Sequence, residues 1–108
     1  MAKKHTDSFL VAMPLMSLVN RMRAYPIASP KNEFPDGTGG VVFKMAEDIS
    51  AMSWGEVISV HMSIYDATQT LIEIESESSN PVQLMDVGKN KKNVERIKAW
   101  LLGQNVAV

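Results

Sequence analysis

Polar residues that could bind a ligand or take part in a reaction are most concentrated near the C-terminal end, where a strand pattern changes to a helix pattern. Gly88, Lys89 and Asn90 stand at the predicted helix start, and Asn93 follows one turn later. Because the first amides of a helix are free and lie at the positive end of its dipole, such a start can bind an anion or a phosphate. The glycine spacing of a nucleotide-binding P-loop is missing. Asp86 has the wrong charge for a phosphate site, and it or Asn90 can cap the helix instead, so an anion site and a structural joint are both open.

A second candidate is His61, which stands opposite Glu73 on a predicted β-hairpin. An imidazole beside a carboxylate resembles a general base with the group that orients it. The neighbouring Ser59 and Ser63 would point to open solvent, so no nucleophile or pocket accompanies the pair. A solvated cross-strand ion pair is the simpler interpretation. A small hydrolase or isomerase that uses His61 and Glu73 remains an alternative hypothesis.

Three glutamates follow one another in a row on the second hairpin strand, namely Glu73, Glu75 and Glu77. Such a row can bind a hard cation weakly, or it can form a negative solvated face that discourages sheet aggregation. The sequence has only two histidines, which argues against a His-rich transition-metal site. We therefore predict no metal site and no cofactor.

Trp54 precedes Gly55 at the entrance of a predicted strand. A tryptophan in this position is typical of a lid over the core beside a close backbone approach, and it can also stack on a ligand. The candidate ligand-binding residues are therefore Trp54, Asp86, Gly88, Lys89, Asn90 and Asn93.

Composition excludes several classes of function. The 108 residues carry 11 basic and 12 acidic side chains, a net charge of −1, so no global field favours nucleic acid or an acidic membrane as a partner. The absence of cysteine excludes disulfides, thiol catalysis and iron–sulfur clusters, and it fits a reducing compartment such as the cytoplasm. The length predicts one domain over residues 1–108, with a disordered start at 1–5 and a tail at 104–108.

An apolar run that starts at Phe9 is the first long element. Two lysines precede it, as in a secretory signal, but no small-residue cleavage site follows and the run is too short to span a bilayer. We predict a kinked core helix over residues 7–21, capped by Thr6 and kinked at Pro14. The alternative is a short strand followed by a helix with Pro14 in its first turn.

The clearest element is the β-hairpin, over Glu56–Tyr65 and Thr70–Glu77, in which apolar and polar side chains alternate on both strands. If Ile64 pairs with Thr70, every apolar position falls on one face. A slip of one residue would bury the glutamates, so the register is well determined.

The remaining segments complete the predicted order. Arg23–Ser29 reads as an edge strand limited by proline, Lys31–Gly40 as a loop, and Val41–Ala46 as a strand. A helix follows over Lys89–Leu102, with Gly103 as its natural stop. The order helix, four strands, helix (αββββα) predicts an α+β fold, with both helices packed on one face of a four-stranded antiparallel sheet.

Three segments share a pattern with a known family. They read Ser53-Trp54-Gly55-Glu56, Ser76-Glu77-Ser78 and Pro81-x-Gln83-Leu84-x-Asp86-x-Gly88-Lys89-Asn90-x-x-Asn93. This half of the chain, roughly from Ser50 to Leu102, resembles a family of small bacterial domains whose motifs are S-W-G-E, S-x-S and P-x-Q-x-x-D-W-G-K-N-x-x-N. Val87 stands where the family usually has tryptophan, which weakens the idea of an aromatic contact there. The family has no established activity, so the resemblance supports the fold and the selected residues and implies no function.

We predict a cytoplasmic, non-enzymatic binding or protein-interaction module that is a monomer or a weak homodimer, with no nucleic acid and no membrane as partner. Binding of a small ligand or anion at the sheet-to-helix junction is an alternative. Self-association through the hairpin or an exposed edge strand is a third hypothesis, because an open sheet leaves two strand edges unpaired.

Overall fold

A computed structural model describes residues 4–47, 55–78 and 88–103, which form five strands and two helices. Along the chain these elements are β1 (Lys4–Val11), α1 (Leu15–Arg23), β2 (Asn32–Pro35), β3 (Val41–Glu47), β4 (Glu56–Ile64), β5 (Thr70–Ser78) and α2 (Lys89–Leu101). Neither helix in these ranges is long and apolar enough to cross a membrane.

The strands form a single antiparallel sheet in the order β1-β5-β4-β3-β2. The predicted α+β class, the antiparallel sheet and its two helices are confirmed. The predicted strand count is wrong, because the sheet has five strands instead of four. The element order is also different, since a strand precedes the first helix and the sequence of elements is βαββββα.

The hairpin forms as predicted, with β4 and β5 in the expected register. Ile64 pairs with Thr70, and Met62 pairs with Ile72. Side chains alternate between buried and accessible along both strands because successive residues of a strand point to opposite faces. One face of the sheet therefore enters the core, and the other remains open.

The predicted kinked helix over residues 7–21 is wrong. Residues up to Val11 form β1, and α1 begins only at Leu15, after Pro14 at its N-cap position. The alternative of a strand followed by a helix near Pro14 therefore describes this region. Pro14 takes an extended conformation (φ −67°, ψ 152°), so the residue that disfavours a continuous helix marks the start of a shorter one. Thr6 lies within the strand and does not cap a helix.

The predicted edge strand over Arg23–Ser29 is also wrong. Helix α1 extends through Arg23 because Leu18, Val19 and Met22 are buried on its inner face. The edge strand is β2, which lies inside the predicted loop Lys31–Gly40 and pairs with β3.

Both helices pack on the same face of the sheet. They meet a core that includes Phe43, Val60, Met62, Ile72 and Ile74, all of them fully buried. The two helices also hold each other, in a contact that sequence periodicity did not predict. The Trp100 indole Nε1 donates a hydrogen bond of 2.7 Å to the Arg21 carbonyl oxygen, and Arg21 Nη1 donates to the Leu101 carbonyl oxygen at 2.9 Å.

Candidate functional site

The predicted junction site lies where α2 begins. Gly88 precedes the helix with φ +76° and ψ 12°, a left-handed conformation that glycine adopts without steric cost. No side chain of the described residues caps this helix start. Gly88 is exposed and Lys89 is half-buried, whereas Asn90 and Asn93 are buried. Trp54 and Asp86 lie outside the described residues.

Asn90 joins the helix to the end of β5. The Ser76 hydroxyl donates to Asn90 Oδ1 at 2.8 Å, and Asn90 Nδ2 donates to Ser78 Oγ at 3.1 Å. Both serines continue the inward-facing series that Ile72 and Ile74 begin on the same strand. Their position places two hydroxyl groups beneath the first turn of the helix.

Asn93 extends this contact to the start of β4. Its Nδ2 donates to Glu56 Oε1 at 3.1 Å and to Ser76 Oγ at 3.2 Å. Glu56 is only 1% exposed and is the register partner of Ser78. Because Asn90 and Asn93 are three positions apart, they lie on neighbouring positions of one helix face.

These side chains form a buried polar junction, defined as Glu56, Ser76, Ser78, Asn90 and Asn93. The structure thus brings together two of the predicted site residues and adds three that the list of candidates lacked. Each addition belongs to a motif segment, and the serines at inward-facing positions of β5 were the available signal. Since the two asparagine amides are already bonded to neighbouring side chains, the arrangement favours the structural joint over an anion site.

His61 forms a second polar site, on the open face of the sheet. It pairs with Glu73 in the predicted register, but the nearest approach there is 3.7 Å, between Nδ1 and Glu73 Oε1. The shorter contact is 2.7 Å, from His61 Nε2 to Asp36 Oδ2. The carboxylate that orients the imidazole is therefore Asp36, which lies in the predicted loop Lys31–Gly40 and was not among the candidate site residues.

The turn before β3 positions Asp36. Its Oδ1 accepts hydrogen bonds from the Thr38 amide at 2.7 Å, the Thr38 hydroxyl at 3.0 Å and the Gly40 amide at 2.8 Å. The His61 hydrogen bond, followed by those from Thr38 and Gly40, holds the pKa of the Asp36 carboxyl well below its usual range. Gly40 has to lack a side chain, because a Cβ there would meet Asp36 Oδ2 at 2.3 Å and the Met62 carbonyl oxygen at 2.5 Å.

This carboxylate–imidazole pair has the geometry of a base with its orienting group. Among the described residues, the hydrogen bond of the His61 side chain joins it to the Asp36 carboxylate, with Glu73 farther away at 3.7 Å, and none joins it to a serine or threonine hydroxyl. Within the same residues no group of three or more His, Cys, Asp or Glu side chains could hold a metal ion. What the pair does here is tie the β2–β3 turn to the centre of the sheet.

Comparison with known proteins shows similarity at the level of the fold. No family model matches the sequence, and no curated protein matches it. Among solved structures, the chain is similar to the Zhui aromatase/cyclase from Streptomyces sp. R1128, with a TM-score of 0.50. The match covers 95% of this chain and 90% of that one, and the two sequences are 12% identical, so the similarity describes the fold alone.

We expect Asn93→Ala to lower the free energy of unfolding by about 1–3 kcal/mol, because it removes the donor to two buried acceptors. Asn20→Ala is the matched control, since Asn20 is exposed and, among the described residues, its side chain accepts a surface hydrogen bond from Arg23. The control should change stability by less than about 0.5 kcal/mol. Urea unfolding measures the free energy of unfolding of both variants. Equal stability of Asn93→Ala and the parent would contradict a structural role for the buried polar junction.

Gly88→Val should destabilise the fold by roughly 1–3 kcal/mol because a β-branched residue is strained at positive φ. No described atom outside the neighbouring residues lies within 4 Å of a Cβ built at Gly88, so strain and not a clash is the cause. Gly88→Asn is the control, since asparagine tolerates this conformation. Thermal melts of the two variants should differ clearly, and identical melts would disprove the backbone role.

Asp36→Asn should lower the Tm at neutral pH, because the hydrogen bonds from His61 and from the backbone amides of Thr38 and Gly40 stabilise the ionised carboxylate. A carboxyl whose pKa is depressed by folding contributes stability above its unfolded pKa of about 3.9, and this contribution is lost as the pH falls through the folded value. The Tm difference from the parent should therefore shrink in strong acid.

Asp66→Asn is the matched control for this measurement. Asp66 accepts from the Thr68 amide and hydroxyl at 2.9 and 3.2 Å, as Asp36 does from Thr38, but among the described contacts it has no hydrogen bond from a histidine. A loss of Tm at neutral pH as large as that of Asp36→Asn would show that the imidazole contributes nothing.

Proposed function

We propose that this chain is a non-enzymatic module that binds another protein through exposed apolar side chains at one end of the sheet. The observation that carries the proposal is the exposure of Ile64 and Tyr65, which are 61% and 60% accessible beside the β4–β5 turn. Two large adjacent apolar side chains left in water at a strand end are typical of a contact surface.

Two further exposed residues belong to the same end of the molecule. Leu10 is 43% exposed near the end of β1, and Met16 is 54% exposed in the first turn of α1. The sheet register places Val11 and Ile64 on either side of Thr70, and the Thr70 hydroxyl donates to the Met13 carbonyl oxygen at 2.8 Å. We name the set Leu10, Met16, Ile64 and Tyr65 the turn-end patch.

The chemistry of the turn-end patch suits a protein partner. Tyrosine and methionine are enriched at protein interfaces, where tyrosine supplies a large rigid contact area and methionine a flexible side chain that adapts to irregular surfaces. The patch is bordered by the polar turn residues Asp66, Thr68 and Gln69. An apolar centre with a polar border is the usual arrangement of a protein–protein contact.

Two other functions are weighed against this proposal. The first alternative is a small ligand held between the helices and the sheet, and the similar fold of the aromatase/cyclase is what motivates it. In the described residues that space is occupied by fully buried side chains, including Leu18, Met22 and Phe43. The second alternative is a small enzyme that uses His61 and Glu73. It has little support, because the two side chains are 3.7 Å apart and the imidazole is hydrogen-bonded to Asp36 instead. We propose a cytoplasmic setting because the chain has no cysteine, which fits a reducing compartment.

The test replaces part of the patch. We expect Ile64→Ser combined with Tyr65→Ser to abolish cross-linking to the partner in an extract of the source cells, quantified by mass spectrometry, because truncating central interface residues costs about 2 kcal/mol or more. Phe34→Ser combined with Val57→Ser is the matched control, since these apolar residues are 48% and 45% exposed elsewhere on the sheet.

Loss of the same cross-linked protein with the patch variant but not with the control supports the proposal. Equal cross-linking by the folded patch variant and the parent overturns it. Titration of the chain with inorganic phosphate, followed by NMR, examines the alternative: amide shifts confined to residues 88–93 would favour an anion site at the junction over a protein contact.

A further inference from the structure

The two edges of the sheet are protected unequally by their own sequence. The edge strand β2 has four residues and ends in Pro35, which has no amide to offer a neighbouring strand. The other edge strand, β1, has eight residues and no proline. An edge of this length presents a row of unpaired amides and carbonyls that another strand can join.

A charged residue lies in the middle of the longer edge. Asp7 pairs with Ile74, so its side chain lies on the face of the sheet that carries the helices. Lys98 of α2 reaches over this edge, and its Nζ lies 3.0 Å from Asp7 Oδ2. The same ammonium lies 4.9 Å from the centre of the Phe9 ring, a cation–π contact that holds it above β1.

The second carboxylate oxygen of Asp7 occupies the strand edge itself. Asp7 Oδ1 accepts a hydrogen bond of 2.8 Å from the Ser8 amide. In an antiparallel pair every second residue of an edge strand directs its amide and carbonyl away from its neighbour. Ser8 belongs to this outward set, because its amide donates to Asp7, and the alternation adds Lys4, Thr6 and Leu10.

We propose that the Asp7–Lys98 pair closes the β1 edge and prevents a second copy of this chain from adding to the sheet. An incoming strand needs the Ser8 amide, so it has to displace the Asp7 carboxylate. It also has to remove the carboxylate and the Lys98 ammonium from water, which carries a large desolvation cost. An inward-facing charge on an edge strand is an established means of blocking such pairing.

The occupant that this device excludes is a second β1 strand. Without Asp7, the outward backbone groups of two copies are equivalent and can pair antiparallel about a two-fold axis. The proposal rests on Asp7 and Lys98, neither of which belongs to the turn-end patch, although Leu10 belongs both to the patch and to the outward set of the edge. Self-association through an edge strand was the third hypothesis from the sequence, and the Asp7–Lys98 pair is a physical reason why the parent protein would not associate in this way.

The test measures self-association of Asp7→Ala by analytical ultracentrifugation between about 1 μM and 1 mM, the range in which exposed edges associate. We expect this variant to associate at a concentration at least about tenfold lower than the parent. Glu33→Ala is the matched control, because it also removes one carboxylate paired with a cation, Arg23 at 2.7 Å, on the opposite edge strand. The control should sediment like the parent.

Two further variants define the surface. Asp7→Ala combined with Thr6→Pro should return to the behaviour of the parent, since proline removes only an outward amide. Lys98→Met keeps an apolar side chain over Phe9 but removes the ammonium partner of the Asp7 carboxylate, which itself stays on the edge. This variant should therefore associate more than the parent and less than Asp7→Ala. It also tests the proposal if Asp7→Ala does not fold.

Four results would overturn the proposal. The first is that folded Asp7→Ala and Lys98→Met associate no more than the parent, and the second is that Glu33→Ala associates as strongly as Asp7→Ala. The third is that the association of Asp7→Ala survives Thr6→Pro, and the fourth is that it is lost when two patch residues are also replaced. Adding Ile64→Ser and Tyr65→Ser to Asp7→Ala should leave its association unchanged. That result separates the edge from the turn-end patch, and loss of association would assign the effect to the patch instead.

Discussion

The Asn93 amide donates to the Glu56 carboxylate and to the Ser76 hydroxyl in a space closed to water, and the placement of α2 depends on these bonds. Apolar contacts alone tolerate small shifts of a helix over a sheet. Buried polar groups do not, because a lost partner costs the full desolvation of the group that remains. With Asn90 bonded to Ser76 and Ser78, α2 has one position in which every one of these bonds is kept.

That single placement organises distant parts of the chain. Trp100 and Leu101 near the end of α2 bind Arg21 of α1, and Lys98 reaches Asp7 on β1. Helix α2 is therefore connected to the first strand and to the first helix, which lie 79 to 91 positions earlier in the chain. A substitution at the start of α2 would consequently affect the opposite end of the same helix.

The distribution of side chains bears on function. The polar residues of the junction, which first suggested chemistry, lie inside and are bonded to one another. Large apolar residues, in contrast, lie outside at the turn end, where Ile64 and Tyr65 are the most exposed of their kind in the described structure. This distribution is what the proposed binding module needs: a rigid interior joint, an apolar contact surface, and a long sheet edge kept closed by Asp7 and Lys98.

Sequence alone determined the elements whose patterns are local. The alternation around Met62 and Ile72 set the hairpin register, because the side-chain period of a strand is two and a slip would bury glutamates. Glycine at position 88 permitted the positive φ that the structure shows, but the sequence did not require it, since glycine before a helix also adopts extended conformations. Tertiary structure decided the rest: β1 became a strand only because β5 was available to pair with it, and Asp36 reached His61 only because the β2–β3 turn folds back toward the sheet. Glu56 joined Asn93 across 37 positions for the same reason, since long-range partners are chosen by packing and leave no periodic trace in the sequence.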